Sequence, residues 1–334
     1  MPHSLRRAAD SKTEAYINTP TQIAQILLEC FDKSALALFR RYLDHHPHVH
    51  KWIIAADFAM HDKDRPLDCF ASTILPYDAW PAEIEKDVAQ ALPKDLKKSK
   101  ALDEAGVDWL RDRRRFHVMI TVNKDRMPFS NGPGTDPLAI AREHIDKTLA
   151  QAAAVGSPGE TIKRLRKLKS KAQAKAFNVD LLGDIWLLAI WFAALTIIVA
   201  RERQCETIGW FPDRDSMTNW CNGIWQDYAD WNVHAFADAL TIDMRSTKLA
   251  VGAPDRSGTK EIMWYDYMIR AADWFAGSVA AWDRKKNLIP GDHSKYQQML
   301  EGVVADADNV IILHLDMTDS GAQFRRVAVE RTTK

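Results

Sequence analysis

Cysteine is scarce in this chain: Cys30, Cys69, Cys205 and Cys221 are the four among 334 residues, and no two stand close enough for a zinc knuckle or a CxxC redox pair. The opening residues show no secretory pattern, so the four are expected to be reduced thiols of a cytoplasmic protein. Net charge is missing as well. Forty-five basic residues cancel forty-five acidic ones, which excludes a whole-molecule field drawing the chain to nucleic acid or to an anionic membrane. Any such preference has to be local. There is no internal repeat and no low-complexity tract, and the longest uncharged run, Ile185 to Ala200, stops short of a bilayer. At 1.5 Å per residue this run, IWLLAIWFAALTIIVA, spans roughly 24 Å against a hydrocarbon core of about 30 Å, with Asp184 and Arg201 at its ends. It is read as a helix buried in a core or in a homo-oligomer interface rather than as a membrane span.

What the chain has is apolar content, 46%, enough for one large core or two ordinary ones. Residues 1–20 are polar. After Pro20, TQIAQILLECF and SALALFRRYL carry apolar residues at helical spacing and predict a helical hairpin ending near His45. WIIAADFAM and CFASTILPY, short and rich in branched residues, predict two paired strands; RFHVMITVN predicts a third after the charged, helix-prone stretch 78–112. The loop SNGPGTDP ends where Asp136 and Pro137 open a helix. A helical stretch from Thr161 to about Arg203 follows, then a fourth strand in CETIGWF, a helix in SMTNWCNGIWQDYADW, a strand in KLAVGAP and an amphipathic helix in EIMWYDYMIRAADWFAGSVAAWD. VIILHLDMTDSGAQFRRVAVERT closes the chain as a hairpin.

Three features invite a binding role. Lys163, Arg164, Arg166, Lys167, Lys169, Lys171 and Lys175 form a run of seven basic residues with no acid, either a solvated helix face or a surface that tracks nucleic-acid phosphates, with Arg113, Arg114 and Arg115 as an extension. His45, His46, His48 and His50 fall within six residues, but a proline-broken turn splays imidazoles that a tetrahedral metal site needs convergent, so a solvated turn is expected. Trp220, Trp225 and Trp231 lie near helical spacings and read as core before they read as base-stacking platforms.

The carboxylates are more specific. Asp57 lies inside a strand, in IIAADFAM, where an aspartate is costly to bury alone. The fourth strand runs into FPDRDSM, with Asp213 and Asp215 on either side of Arg214, and Asp273 sits among alanines and aromatics in IRAADWFAG. Each has an ordinary reading: Asp215 as a helix cap, Asp273 as a partner of Arg270, Asp57 as an acceptor for a loop. Together, in this strand order, they can gather at one end of a mixed sheet. Gathered carboxylates repel unless a hard cation such as Mg²⁺ or Mn²⁺ holds them.

WIIAADFAM as first strand, GWFPDRDS ending the fourth and IRAADWFAGSVA as late helix resemble the RNase H-like superfamily, and within it the bacterial family catalogued as domain of unknown function 3800. The resemblance covers roughly residues 50 to 283. It implies an α/β fold with a mixed five-stranded sheet flanked by helices, added N-terminal helices and a C-terminal hairpin. The corresponding boundaries are 1–48 for the helical extension, 49–290 for the RNase H-like domain with 161–203 as an insertion, and 291–334 for the hairpin. It implies a nuclease that hydrolyses phosphodiester bonds with two divalent ions on Asp57, Asp215 and Asp273, with Asp213 as an alternative ligand and Glu143 in the place of the superfamily's first-helix glutamate. Phe58 stands where that family's first strand usually carries a second acid. This departure supports the other reading, a scaffold that binds or assembles without cleaving.

Overall fold

The computed structural model describes residues 19–93, 96, 98–126, 128–129, 134–252, 263–291, 294–318 and 321–331. The polar residues 1–18 and the SNGP half of the loop before Asp136 lie outside them. The described chain is an α/β structure built on one seven-stranded mixed sheet. Its strands are β1 (Lys51–Ala59), β2 (Asp68–Pro76), β3 (Phe116–Val122), β4 (Thr207–Pro212), β5 (Lys248–Val251), β6 (Val310–Thr318) and β7 (Gly321–Val327), in the spatial order β5-β4-β1-β2-β3-β6-β7. β1, β2 and β3 are antiparallel neighbours; β4 runs parallel to β1, β5 to β4 and β6 to β3. The sheet therefore has seven strands where five are expected. The closing hairpin does not stand apart: β6 takes the free edge of β3, whose unpaired backbone groups would otherwise face outward, and β7 pairs antiparallel with β6.

Helices cover both faces. On one lie α1 (Pro20–Ser34), α2 (Leu36–Asp44), α5 (Pro137–Ala154), α6 (Gly159–Ala172), α7 (Val179–Glu202) and α8 (Ile224–Leu240); on the other lie α3 (Pro81–Ala91), α4 (Glu104–Arg111), α9 (Asp266–Ala280) and α10 (Ser294–Gln298). The helical stretch expected from Thr161 onward is two helices. α6 ends at Ala172, and Asn178 restarts the chain by accepting the Leu181 amide at 2.9 Å, which satisfies a free donor of α7's first turn. The helix expected from Ser216 starts at Ile224, because Cys221, Asn222 and Gly223 have φ of 48°, 60° and 79°, values a right-handed helix does not contain.

α7 is long and apolar enough to cross a membrane by length and composition, yet every residue from Leu182 to Val199 is buried inside this fold, against the sheet, α1 and α8. Two of its polar side chains bond toward the sheet. Trp191 Nε1 donates to Ser72 Oγ at 2.9 Å, and Thr196 Oγ1 accepts from Trp210 Nε1 at 2.7 Å. Asp184, 1% exposed, meets Arg126, which also donates to the fully buried Asp68 at 2.6 Å. His61, with a left-handed φ of 56°, closes this network at 2.5 Å from the second oxygen of Asp184.

The HHPHVH turn is less solvated than expected. His46 is buried between Tyr42 and Trp52, with Nε2 at 3.0 Å from the Arg114 carbonyl, because the turn folds back under β1. Trp225 is core, packed on Phe192 and Trp210; Trp220 leans on Phe177 and Trp231 on Tyr228.

Candidate carboxylate centre

Strand alternation decides which acids meet. In β1, Trp52, Ile54 and Ala56 point into the core under α7, whereas Ile53, Ala55 and Ala59 point toward α9, so Asp57 shares the α9 face. β4 continues one step beyond its last strand residue. Ala56 pairs with Pro212, and the Asp213 amide donates to the Ala56 carbonyl at 2.8 Å, which sets Asp213 alongside Asp57 on the adjacent strand. Gly209, Phe211 and Asp213 alternate toward α9 in the same way, and neighbouring strands are about 4.8 Å apart. α9 crosses this end of the sheet. Asp266 and Asp273, seven residues or two turns apart, lie on the helix stripe that also brings Ile269, Arg270, Ala276 and Gly277 to the same opening.

The result is a cleft of about 550 Å³ at the C-terminal ends of β1 and β4, lined by Asp57, Asp62, Asp213, Asp215, Asp266 and Asp273 with Arg65 and Arg270. Asp57, Asp213, Asp215 and Asp273, distant in sequence, are thus neighbours. Burial pushes the Asp57 carboxyl well above the usual carboxylate range, the charges of Asp273 and Asp213 add to this, and the Phe58 amide donating to Oδ1 at 2.7 Å opposes it. Asp273 faces Asp57 across this cleft, and its negative charge is, after burial, the largest influence holding the Asp57 carboxyl up. Asp213 sits at the mouth with solvent access, but the protein atoms crowded around its carboxylate push it up too, helped by Asp215, Asp273 and Asp266. Among the described residues, no lysine or arginine forms an ion pair with Asp57 or Asp213.

Asp215 does form the local cap that its position allows. Its Oδ1 accepts the Thr218 amide at 2.8 Å, and the buried Thr218 hydroxyl lies 2.8 Å from the Asp213 carbonyl and accepts the Asp215 amide at 3.0 Å. This locks the turn after β4 and fixes both aspartates. Asp215 Oδ2 takes no hydrogen bond from the described residues. Arg214 turns away to Asp266, 2.8 Å distant, and Arg65 pairs with Asp62 at 3.0 Å. Arg270 does not pair with Asp273: it donates to the Leu92 carbonyl at 2.8 Å and lies over the Tyr267 ring at 4.5 Å. Gly277 lets α9 sit close to Leu96, where a Cβ would come within 2.6 Å of the leucine's Cδ2.

Other candidates lie elsewhere. Glu143 is exposed on α5, on the α7 side of the sheet, paired with Lys147 at 2.6 Å. Glu143→Gln is therefore expected to leave both metal-dependent thermal shifts and stability within about 0.5 kcal/mol of wild type, as checked by thermal melts with and without Mn²⁺. The basic run lies on α6 on that same far side. Arg164 is spent on Asp227, with Nε 2.6 Å from Oδ2, Lys169 pairs with Asp146 at 2.8 Å and Lys167 reaches Asn222 at 3.0 Å; Lys163, Arg166 and Lys171 are exposed. Asp266 and Thr218 escape the sequence reading, although the seven-residue spacing to Asp273 and the three-residue spacing from Asp215 mark them.

Among the described residues, no three His, Cys, Asp or Glu side chains stand as a ready-made metal site. The donor set is nonetheless all carboxylate oxygen, the chemistry of Mg²⁺ or Mn²⁺ rather than of a zinc site, and gathered like charges are what a divalent ion offsets. No family model matches the chain, and no curated protein matches it.

Proposed function

We propose that the chain is a divalent-metal-dependent nuclease of RNase H-like type, hydrolysing phosphodiester bonds at the carboxylate cleft. The observation that carries this reading is the meeting of Asp57, Asp213 and Asp273 on one sheet face, from two adjacent parallel strands and the helix crossing them. The mixed sheet flanked by helices on both faces supports it, being of the general α/β kind that the resemblance to the superfamily implies.

Asp57, Asp213 and Asp273 would hold the ions, with the free Oδ2 of Asp215 as a further ligand. A bound pair of ions supplies an activated water and a clamp on the departing oxygen. The chain's own residues set the field around them. Burial of Asp57 makes its carboxylate a strong claimant for a cation, Thr218 holds the Asp213–Asp215 turn rigid, and the Arg214–Asp266 and Arg65–Asp62 pairs cancel charge at the rim. Phe58 removes no ligand from this face, because its side chain packs against Phe70 in the core on the α7 side. The second reading, a scaffold that binds without cleaving, is favoured by Asp215, whose Oδ1 is committed to the Thr218 amide at 2.8 Å.

Incubation of the full chain with single-stranded, duplex and hybrid oligonucleotides and Mn²⁺ separates the two. Wild type is expected to cleave at least one of them, and Asp273→Asn to lose about 10³-fold or more, equivalent to about 4 kcal/mol of transition-state stabilisation. Equal cleavage by both proteins removes the nuclease reading; binding with no cleavage by either leaves the scaffold.

A further inference from the structure

The C-terminal end of the sheet carries a second cluster, of the opposite sign, on the same face as the carboxylates. Thr121 in β3 pairs with His314 in β6, and His314 with Arg325 in β7; parity puts all three, with Asp316, on the α9 side. Arg284, in the turn after α9, rests its guanidinium on His314, with Nη2 2.9 and 3.0 Å from the two ring nitrogens. His314 is 1% exposed, its Nδ1 2.9 Å from Thr121 Oγ1 and its Nε2 2.9 Å from Asp316. Asp316 is committed to Arg325 at 2.9 Å and to the Asn123 amide at 2.9 Å.

Charge counting shows what the cluster lacks. Arg284 and Arg325 bring two fixed positive charges against the single carboxylate of Asp316. Among the described residues Arg284 makes no ion pair, although it is half-buried. A guanidinium that engages only Nη2, on His314, keeps N–H groups for a second acceptor, and the acceptors that fit are carboxylate and phosphate.

The position selects between them. Across the ladder, Asp57 is level with Ala71, Met119 and Ile312, so the row that holds the carboxylates leads to β6 two residues before His314. Three strand spacings amount to about 14 Å, or about four base steps measured along the axis of a duplex at roughly 3.4 Å of rise each. We propose that Arg284 and Arg325 form an anion site that takes a backbone phosphate of the same nucleic-acid strand whose scissile phosphate lies at the carboxylate cleft. This rests on the nuclease reading. It moves strand tracking from the α6 basic run, on the far side of the sheet, to the cleft's own side.

The test is the salt dependence of oligonucleotide binding by the full chain, followed by fluorescence anisotropy without divalent ions so that nothing is cleaved. Arg284→Gln and Arg325→Gln are each expected to weaken binding of a labelled single strand several-fold and to reduce the slope of log affinity against log salt by about 0.7, one phosphate contact. Asp316→Asn, which removes the competing carboxylate, is expected to tighten binding several-fold, a gain that a loosened fold cannot mimic. If wild type binds and the Arg284→Gln and Asp316→Asn slopes match it, the anion site is wrong and the nuclease reading stands. If wild type binds no oligonucleotide at any salt concentration, both are overturned.

Discussion

Asp57→Asn is expected to do two opposite things: abolish metal-dependent cleavage and make the metal-free protein more stable. Asn has the shape of Asp without its charge, so it keeps the place beside Asp213 and Asp273 while removing the like-charge contact and the burial penalty that hold the Asp57 carboxyl above its usual range. At pH 8 without divalent ions the gain is expected to be about 1–3 kcal/mol, the cost of an uncompensated buried polar group, read from urea denaturation. The sign with pH follows from linkage. Folding raises the affinity of Asp57 and Asp213 for a proton, so their contribution to stability is complete below the ordinary carboxylate range and is lost as pH rises through the raised values. Wild-type metal-free protein should accordingly lose stability between weakly acidic and alkaline pH more steeply than Asp57→Asn. On the proposed function Mn²⁺ would bind the folded, deprotonated cluster, and so should restore wild type at alkaline pH and leave Asp57→Asn almost unmoved. A variant no more stable than wild type at pH 8 and equally stabilised by Mn²⁺ would show that the carboxylates do not repel in a shared site.

The second large effect lies outside the cleft. Arg126→Met is expected to destabilise the fold by about 3–5 kcal/mol, the cost of removing one partner of a buried ion pair. Asp68 and Asp184 are 0% and 1% exposed, one opening β2 and the other near the start of α7, and Arg126 is the guanidinium that both share. It also donates to the Asn123 carbonyl at 3.0 Å, so it anchors the end of β3 to the same knot. His61 cannot replace it. Its side chain is 52% exposed and its imidazole, raised by the Asp184 hydrogen bond, contributes stability that fades as pH rises through that raised value. The triple variant Asp68→Asn, Asp184→Asn, Arg126→Met should recover most of the loss, because the cost is the stranded charge and not the missing contact. A loss below about 1 kcal/mol for Arg126→Met alone would mean that water reaches the two carboxylates.

Much of this was legible in the chain. Short apolar runs rich in branched residues mark β1, β2, β3 and β4, and the uncharged run from Ile185 marks a helix with no wet face, because elements buried on every face carry continuous apolar runs. Asp57 and Asp273 stand out because a lone acid in such a run is costly without a partner. Other features depend on partners that spacing does not name. Arg270 could be offered to Asp273 from its three-residue offset, yet its guanidinium reaches the Leu92 carbonyl instead. Glu143 looked like a ligand by order along the chain, while the face of the sheet that α5 covers is fixed by how α5, α6 and α7 pack on one another. The hairpin's docking on β3 follows from which sheet edge is left open, a property of the whole sheet and not of the hairpin.

The amino-acid order alone determined the strands, the enclosed apolar helix and the few acids set in apolar surroundings, because each is a local matter of side-chain period and solvation. Only the tertiary structure decided that Asp213 stands level with Asp57, that Asp215 is half committed to a turn through Thr218, and that the basic run lies behind the sheet. Those depend on strand register and helix facing, which arise when distant segments pair and which no single segment specifies.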